Sequence, residues 1–275
     1  MNGPQVEWLS DGRLHLNHGP IDLICEAWGE ASAVQTGYAR AIVRFANVLE
    51  ELVAELPALR AEKQALTSAL ALKMARAVAP FRPAFITPMA AVAGAVAEDV
   101  LAQLAVPGVR RAYVNNGGDI AIHLDRGQTL NCAMAQGGQV RILSEMPVRG
   151  IATSGWRGRS WSLGIADAVT VLARTAAMAD AAATMIANAV DLPGHPGIRR
   201  RPAVEMQADN DLGQRLVTVE VGALTRDEVA RALDQGLAAA QGFAARGLIE
   251  GAALFLQGQL RTHGTMTLTK EPELA

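Results

Sequence analysis

Several common functional signatures are missing from this chain. Cysteine occurs only twice in 275 residues, as Cys25 and Cys132. Each lies in an apolar, strand-like stretch, which fits reduced, buried thiols and not a disulfide framework. With no CxxC pair and no Cys/His cluster, a zinc site of the usual spacing is excluded. Aromatic residues make up only 4% of the chain, so Ala, Val and Leu carry most of the apolar content, a composition suited to helices packed closely on a sheet. Charge is also sparse, at 19% of residues with a net charge of −2. The 25 basic residues are dispersed, leaving no electrostatic footprint for nucleic acid. The one basic run, Arg199-Arg200-Arg201, reads as a solvated loop before Pro202, with a phosphate clamp as the alternative. No run reaches the roughly 18 apolar residues of a membrane span, and the first ten residues, with Glu7 and Trp8, lack the basic start and apolar stretch of a secretory signal. A cytoplasmic protein with no membrane partner is expected.

What is present is the material for a large core. Arg13 to Ala27 reads as extended after allowance for the turn His18-Gly19-Pro20. Ser32 can cap a helix whose stripe is Val34, Tyr38, Ile42, Phe45, Leu49, Leu52 and Leu56, ended by Pro57. Thr67 or Ser68 can cap a second helix running to Ala79, and Thr87-Pro88 can start a third reaching about Leu104. That third helix is small-residue rich from Met89 to Ala97, so another backbone can approach it closely. Arg111 to Val114, Asp119 to Leu124 and Thr129 to Ala135 form strands joined by Gly turns, which reads as a meander. Val148 to Thr153, Asp167 to Ala173 and Leu216 to Val221 add strands. Helices are expected over Ala176 to Val190 and from Thr225 to about Ala245, followed by a strand or hairpin over Leu248 to Leu260. Strands come in groups and not in βαβα alternation, so the fold class is α+β. No linker or exact repeat is visible; a single domain over 1–264 with a loose tail over 265–275 is expected.

Three segments could carry chemistry. Asp180 and Thr184 share a face of an alanine-rich helix, where a buried carboxylate needs water, a donor or a cation. Asn115-Asn116-Gly117-Gly118-Asp119 is either a plain hairpin turn or a turn whose backbone N–H groups converge on a ligand while Asp119 offers acceptors. Thr153-Ser154-Gly155 closes a strand and leads into Trp156-Arg157-Gly158-Arg159-Ser160-Trp161-Ser162. Two guanidiniums, hydroxyls and two indoles in so short a loop could hold phosphate and cover a flat ring, or could simply be exposed. The histidines fall in none of these segments, and His123 is the one nearest to them. Met74, Met89, Met178 and Met185 sit at helical spacing and read as core.

The order of these pieces, a Gly-Gly-Asp turn, Thr-Ser-Gly at a strand end, then Val-Thr-Val and Ala-Asp-x-x-x-Thr, resembles the ApbE superfamily of FAD:protein FMN transferases, once linked to thiamine biosynthesis. The match covers roughly residues 85 to 190. Within it the chain is most similar to the uncharacterised UPF0280 branch, through Ala-Gly-Ala-Val-Ala-Glu98, Asn-Gly-Gly-Asp119, Thr-Ser-Gly155 to Gly-Arg-Ser160, and Gly164 to Val171. The resemblance implies a T-fold-like α+β domain of mixed, mainly antiparallel sheet packed with helices. It implies a magnesium ion held by Asp180, Thr184 and a backbone carbonyl near Ala91, engaging the diphosphate of FAD or a related dinucleotide. Gly117, Gly118, Asp119, Thr153, Ser154, Gly155, Arg157 and Ser160 would then contact the ligand. Two family features differ here: a Lys-Gly pair is replaced by Ala93-Gly94, and a His-bearing strand by Ser160 to Gly164. Asp167 and Arg159 are the nearest substitutes for a catalytic group. The expectations are therefore a flavin transferase-like enzyme, a flavin- or nucleotide-binding protein without catalysis, or an enzyme of pterin-dependent one-carbon metabolism. Homo-oligomerisation through the alanine-rich helices is compatible with all three.

Overall fold

The computed structural model describes residues 3–63, 65–134 and 137–264. The chain opens with three strands, β1 (Gln5–Trp8), β2 (Leu14–His18) and β3 (Ile21–Gly29). In β2 and β3, buried Leu14, Leu16, Ile21, Leu23 and Cys25 alternate with half-buried neighbours, the period-two pattern of a sheet with one face on the core. Helix α1 (Ala31–Ala54) follows. Its N-cap is Glu30, which makes no side-chain cap, so Ser32 lies inside the first turn and does not start the helix as expected. The short α2 (Leu56–Leu59) contains Pro57, and α3 (Ala69–Val78) is capped by Ser68, whose hydroxyl accepts from the Ala71 N–H.

Pro88–Ala91 forms a 3-10 turn, and α4 (Val92–Leu104) begins only after it. Thr87 does not cap this helix; its hydroxyl donates to Asp211 instead. The chain then makes β4 (Val109–Asn116), β5 (Asp119–Leu124), β6 (Thr129–Ala133) and β7 (Gln139–Leu143). Here the expected meander is corrected: β4 and β5 pair, but β6 leaves the sheet to pair with β7 in a two-stranded ribbon. The alternation that suggested a third meander strand is real, but it buries Leu130 and Cys132 in a separate small core with Val140, Ile142, Ile151 and Leu172. Ala135, the last residue of the expected strand, lies outside the described residues, as does the expected tail over 265–275.

Strands β8 (Gly150–Ser154) and β9 (Ala168–Ala173) lead to α5 (Ala176–Ala189), capped by Thr175. Next come β10 (Ile198–Pro202), α6 (Ala203–Met206) and β11 (Leu216–Val221). The arginine run is therefore a strand and not a loop: Arg199 pairs with Glu220, Arg201 with Glu205, and Arg200 turns inward to Asp191. Helix α7 (Arg226–Ala245) starts at a capping box between Thr225 and Glu228, and the hairpin of β12 (Gly251–Leu256) and β13 (Gln259–Gly264) ends the described chain.

Among the described residues, nine strands form one sheet in the order β1-β2-β3-β4-β5-β8-β9-β12-β13, and every pairing in it is antiparallel. Helices α1, α4, α5 and α7 pack side by side on it, each against the strands nearest to it and against the next helix. The α+β class and the antiparallel sheet are thus as expected. Among the described residues no helix is long and apolar enough to cross a membrane. Cys25 and Cys132 are free and buried, and burial pushes both thiols up to about 12.

Antiparallel pairing has a positional consequence. Asn116 pairs with Asp119, Leu23 with Asn116, Ser154 with Val169 and Phe255 with Ala168. The β2–β3 turn, the β4–β5 turn, the β8–β9 connection and the β12–β13 turn therefore all emerge at one end of the sheet. That end carries the site.

Candidate functional site

A cavity of about 690 Å³ opens at this end. Its walls include Gly117, Asp119, Thr153, Ser154, Gly155, Arg157, Arg159, Ser160, Asp180 and Thr184, so segments far apart in sequence converge on one space. Three of the sequence candidates do not line it: Gly118, Ala91 and Asp167. Gly118 donates its N–H to Asn115 Oδ1 at 2.8 Å. Ala91 is buried at the end of the 3-10 turn, while its neighbours Ala90, Val92 and Ala93 reach the cavity.

The β4–β5 turn has φ of +63° at Gly117 and +113° at Gly118, the left-handed backbone that a two-residue hairpin demands. At Gly117 a second constraint applies, because an added Cβ would lie 1.8 Å from the Arg159 guanidinium. The turn thus lets Arg159 cross over bare backbone and reach the neighbourhood of Asp119.

Asp119 and Asp180 both line the cavity and lie near enough for the charge of one to act on the other. Asp119 Oδ1 accepts from the Thr153 N–H at 3.1 Å, and Asp180 Oδ2 accepts from the Gly94 N–H at 3.0 Å. Burial pushes the Asp119 carboxyl up to about 7, against the opposing pull of the Thr153 amide and Arg159. Asp180 is raised well above the usual carboxylate range by burial first and by the Asp119 charge second, with the Gly94 and Ala93 amides acting the other way. No Lys, Arg or His forms a salt bridge with either carboxylate among the described residues.

Asp180 thus accepts at the N-terminus of α4, where unpaired amides and the helix dipole favour negative charge. The arrangement is reciprocal: Glu98 of α4 accepts from the Ala177 N–H at the start of α5, at 2.7 Å, and is met by Lys73 Nζ at 3.5 Å. The two helices come so close that a Cβ on Gly94 would lie 2.2 Å from the Ala176 carbonyl oxygen. The small-residue helix therefore serves both as packing and as a cavity wall.

Residues 156–161 form an arch with fixed feet. The Trp156 amide donates to the Ala166 carbonyl, and its indole N–H donates to Asp167 Oδ1 at 3.3 Å. Asp167 also pairs with Arg157 at 2.9 Å and accepts from the Gln257 N–H at 2.6 Å, so both its oxygens are engaged by protein donors, one of them a cavity-wall guanidinium. At the other foot, Asn188 Oδ1 accepts from the Leu163 N–H at 2.9 Å and the Ser162 hydroxyl at 3.3 Å, and Arg200 donates to the Leu163 carbonyl at 2.9 Å.

Sequence reasoning missed some cavity residues. Asn188 continues the four-residue spacing of Asp180 and Thr184, a signal available in the sequence. Met89 and Met185, read as core, are half-buried on the cavity wall, whereas Met74 is fully buried as expected. Thr87, Asp209 and Asp211 reach the cavity from loops that carry no periodic signal. His123 lies elsewhere, with Nε2 at 3.1 Å from the Val109 carbonyl oxygen.

Comparison with known proteins gives consistent relationships. A UPF0280 protein of Methanopyrus kandleri is 43% identical over 119 residues, covering 42% of this chain and 46% of that protein. A UPF0280 protein of Archaeoglobus fulgidus is 40% identical over 108 residues, or 38% and 45% of the two chains. The matches thus span about half the length of these relatives. Among solved structures, the apo form of the Pseudomonas stutzeri flavinyl transferase ApbE aligns over 96% of each chain with 16% identity and a TM-score of 0.41. The family described as AbpE bacteria matches residues 6–262, nearly the whole described chain. The chain belongs to this AbpE bacteria family.

Proposed function

We propose that the chain binds a flavin dinucleotide or another diphosphate-bearing ligand together with Mg²⁺, within one domain spanning residues 1–264. In this reading Asp180, Thr184 and backbone from the Ala91 turn hold the cation. Gly117, Asp119, Thr153, Ser154 and Gly155 line the ligand, and Arg157, Arg159 and Ser160 meet phosphate. The observation that carries the reading is the pair Asp119 and Asp180, two buried, electrostatically linked carboxylates lining one cavity with the Thr184 hydroxyl and the Arg157 and Arg159 guanidiniums.

The donor set fits a hard cation. It consists of oxygens, and among the described residues no three His, Cys, Asp or Glu side chains gather into a closed cage. Mg²⁺ characteristically uses one or two carboxylates and completes its shell with water and ligand phosphate. When bound, it would neutralise charge on diphosphate oxygens. The protein's own contribution is to keep the carboxylates dry and oriented by the Thr153 and Gly94 amides, and to bring Arg159 across Gly117.

Thermal unfolding and calorimetry with FAD, with and without Mg²⁺, test this. At a hundred times its Kd the ligand should add about 2.7 kcal/mol of stability. Asp180→Asn, which keeps an acceptor for the Gly94 amide, should remove the Mg²⁺-dependent part. Absence of any shift with FAD or another diphosphate refutes the reading.

A specific observation favours binding without transfer as the second reading: Asp167, the carboxylate nearest in sequence to the missing family His, does not line the cavity and has both oxygens engaged by protein donors. Incubation with FAD and a flavin-acceptor protein separates the two, since covalent FMN on the acceptor requires phosphoryl transfer.

A further inference from the structure

The structure assigns Trp161 as the residue that selects a planar heteroaromatic ring on the ligand; the assignment rests on the diphosphate reading above. Of the four tryptophans, three have a ring or cation partner: Trp8 packs edge-on to Tyr38, Trp28 lies beside Tyr113 under Arg111, and Trp156 stacks with Arg157. Trp161 has none among the described residues. It lines the cavity with 37% of its surface exposed.

An open indole costs free energy in water, since large apolar rings gain most by being covered. Here the open indole adjoins well-anchored chain. The next residue, Ser162, is 3% exposed. Its hydroxyl donates to Asn188, its carbonyl accepts from the Thr218 N–H at 2.9 Å, and the Leu163 amide is held at 2.9 Å. The chain is therefore anchored one residue beyond the indole before a ligand arrives, which lowers the ordering cost of binding there.

Among the described residues Phe85 is the other aromatic ring on the cavity wall, and one of its faces is taken: the Arg215 guanidinium lies 3.2 Å from the ring centroid. Trp161 thus offers the cavity's open aromatic face, on the same arch as the phosphate candidates Arg157, Arg159 and Ser160. A ligand with a diphosphate at Arg159 and a flat ring a short linker away can satisfy both at once. Flavin and purine rings share that chemistry.

Calorimetry of the wild-type protein, Trp161→Ala and Trp161→Phe with FAD, ADP and inorganic pyrophosphate, each in Mg²⁺, tests the assignment. Stacking lost on alanine substitution corresponds to about 5- to 150-fold in affinity. Trp161→Ala should weaken FAD by that factor and leave pyrophosphate unchanged, and Trp161→Phe should stay within a few fold of wild type. Loss for FAD alone identifies the flavin ring as the stacked group; equal loss for FAD and ADP identifies adenine. Equal weakening of pyrophosphate, or no change for any ligand, overturns the assignment. Wild-type binding of pyrophosphate with no gain for FAD or ADP overturns this inference alone, whereas no binding of any of the three overturns the diphosphate reading with it.

Discussion

Metal-free protein should become less stable as the pH rises from 5 to 8, opposite to the usual behaviour of paired carboxylates. Burial lifts the Asp119 carboxyl from 3.8 to about 7 in the folded chain, while the unfolded chain releases that proton near the ordinary value. The folded state therefore binds more protons than the unfolded one between these limits. By linkage its stability is fullest below about 4 and is lost as the pH climbs through about 7. At about 1.36 kcal/mol per pH unit, with the slope flattening near 7, Asp119 alone accounts for a loss of about 3 kcal/mol between pH 5 and 8. For a chain of this length it corresponds to a fall of about 5 °C in Tm. Asp180 is raised as well and acts in the same direction. Glu55 and Glu228, held at about 2 by their hydrogen bonds, titrate too low to contribute in this window. A cation needs the ionised carboxylates, so saturating Mg²⁺ should stabilise more at pH 8 than at pH 5 and flatten the profile. Calorimetric melts in chelator and in Mg²⁺, on wild type and Asp119→Asn, provide the assay. A chelated wild-type profile that is flat or rising from pH 5 to 8, or an Asp119→Asn profile as steep as wild type, refutes the reasoning.

Two further perturbations probe the helix crossing beneath the site. Gly94→Ala places a Cβ 2.2 Å from the Ala176 carbonyl oxygen and 2.4 Å from its carbon; backbone stands on both sides, so a urea midpoint should report a loss of about 1–3 kcal/mol. A change below about 0.5 kcal/mol would mean that the helices separate freely. Glu98→Ala removes the acceptor for the Ala177 amide and should cost about 1–2 kcal/mol, with Glu98→Gln recovering most of it; equal effects of the two variants would deny the capping role.

Local rules made much of this molecule readable. Caps located α3 and α7, because Ser68 and Thr225 each accept from an amide of their own first turn, while α5 was legible as an alanine-rich run and its Thr175 cap emerges only in the structure. The spacing of Asp180 and Thr184 and the Gly-rich turn identified segments that meet in one cavity. The rest depends on partners distant in sequence. Asp180 accepts from Gly94, 86 residues away, and Thr87 bonds to Asp211 across 124 residues. No local pattern announces such pairs. Arg200 is the clearest case: within a run of three arginines it alone turns inward, because alternation along β10 aims it at Asp191 and Leu163. The departure of β6 to its own ribbon was invisible for a similar reason, since an alternating strand fits either sheet equally well.

The nearly sequential order of strands across the sheet divides the molecule's turns into two populations with different freedom to change. Turns at one end, including those at Pro20, Gly117 and the 156–161 arch, shape the cavity. Those at the other, such as Leu9–Gly12 and Asp125–Gln128, only close hydrogen-bonded reversals of the chain. Lengthening a turn of the first kind would redesign what the cavity admits without shifting the ladder beneath it. The second kind offers attachment points for tags or reporter domains that leave the cavity untouched. The antiparallel ladder therefore works as a chassis, with one end open to functional redesign and the other available for engineering handles.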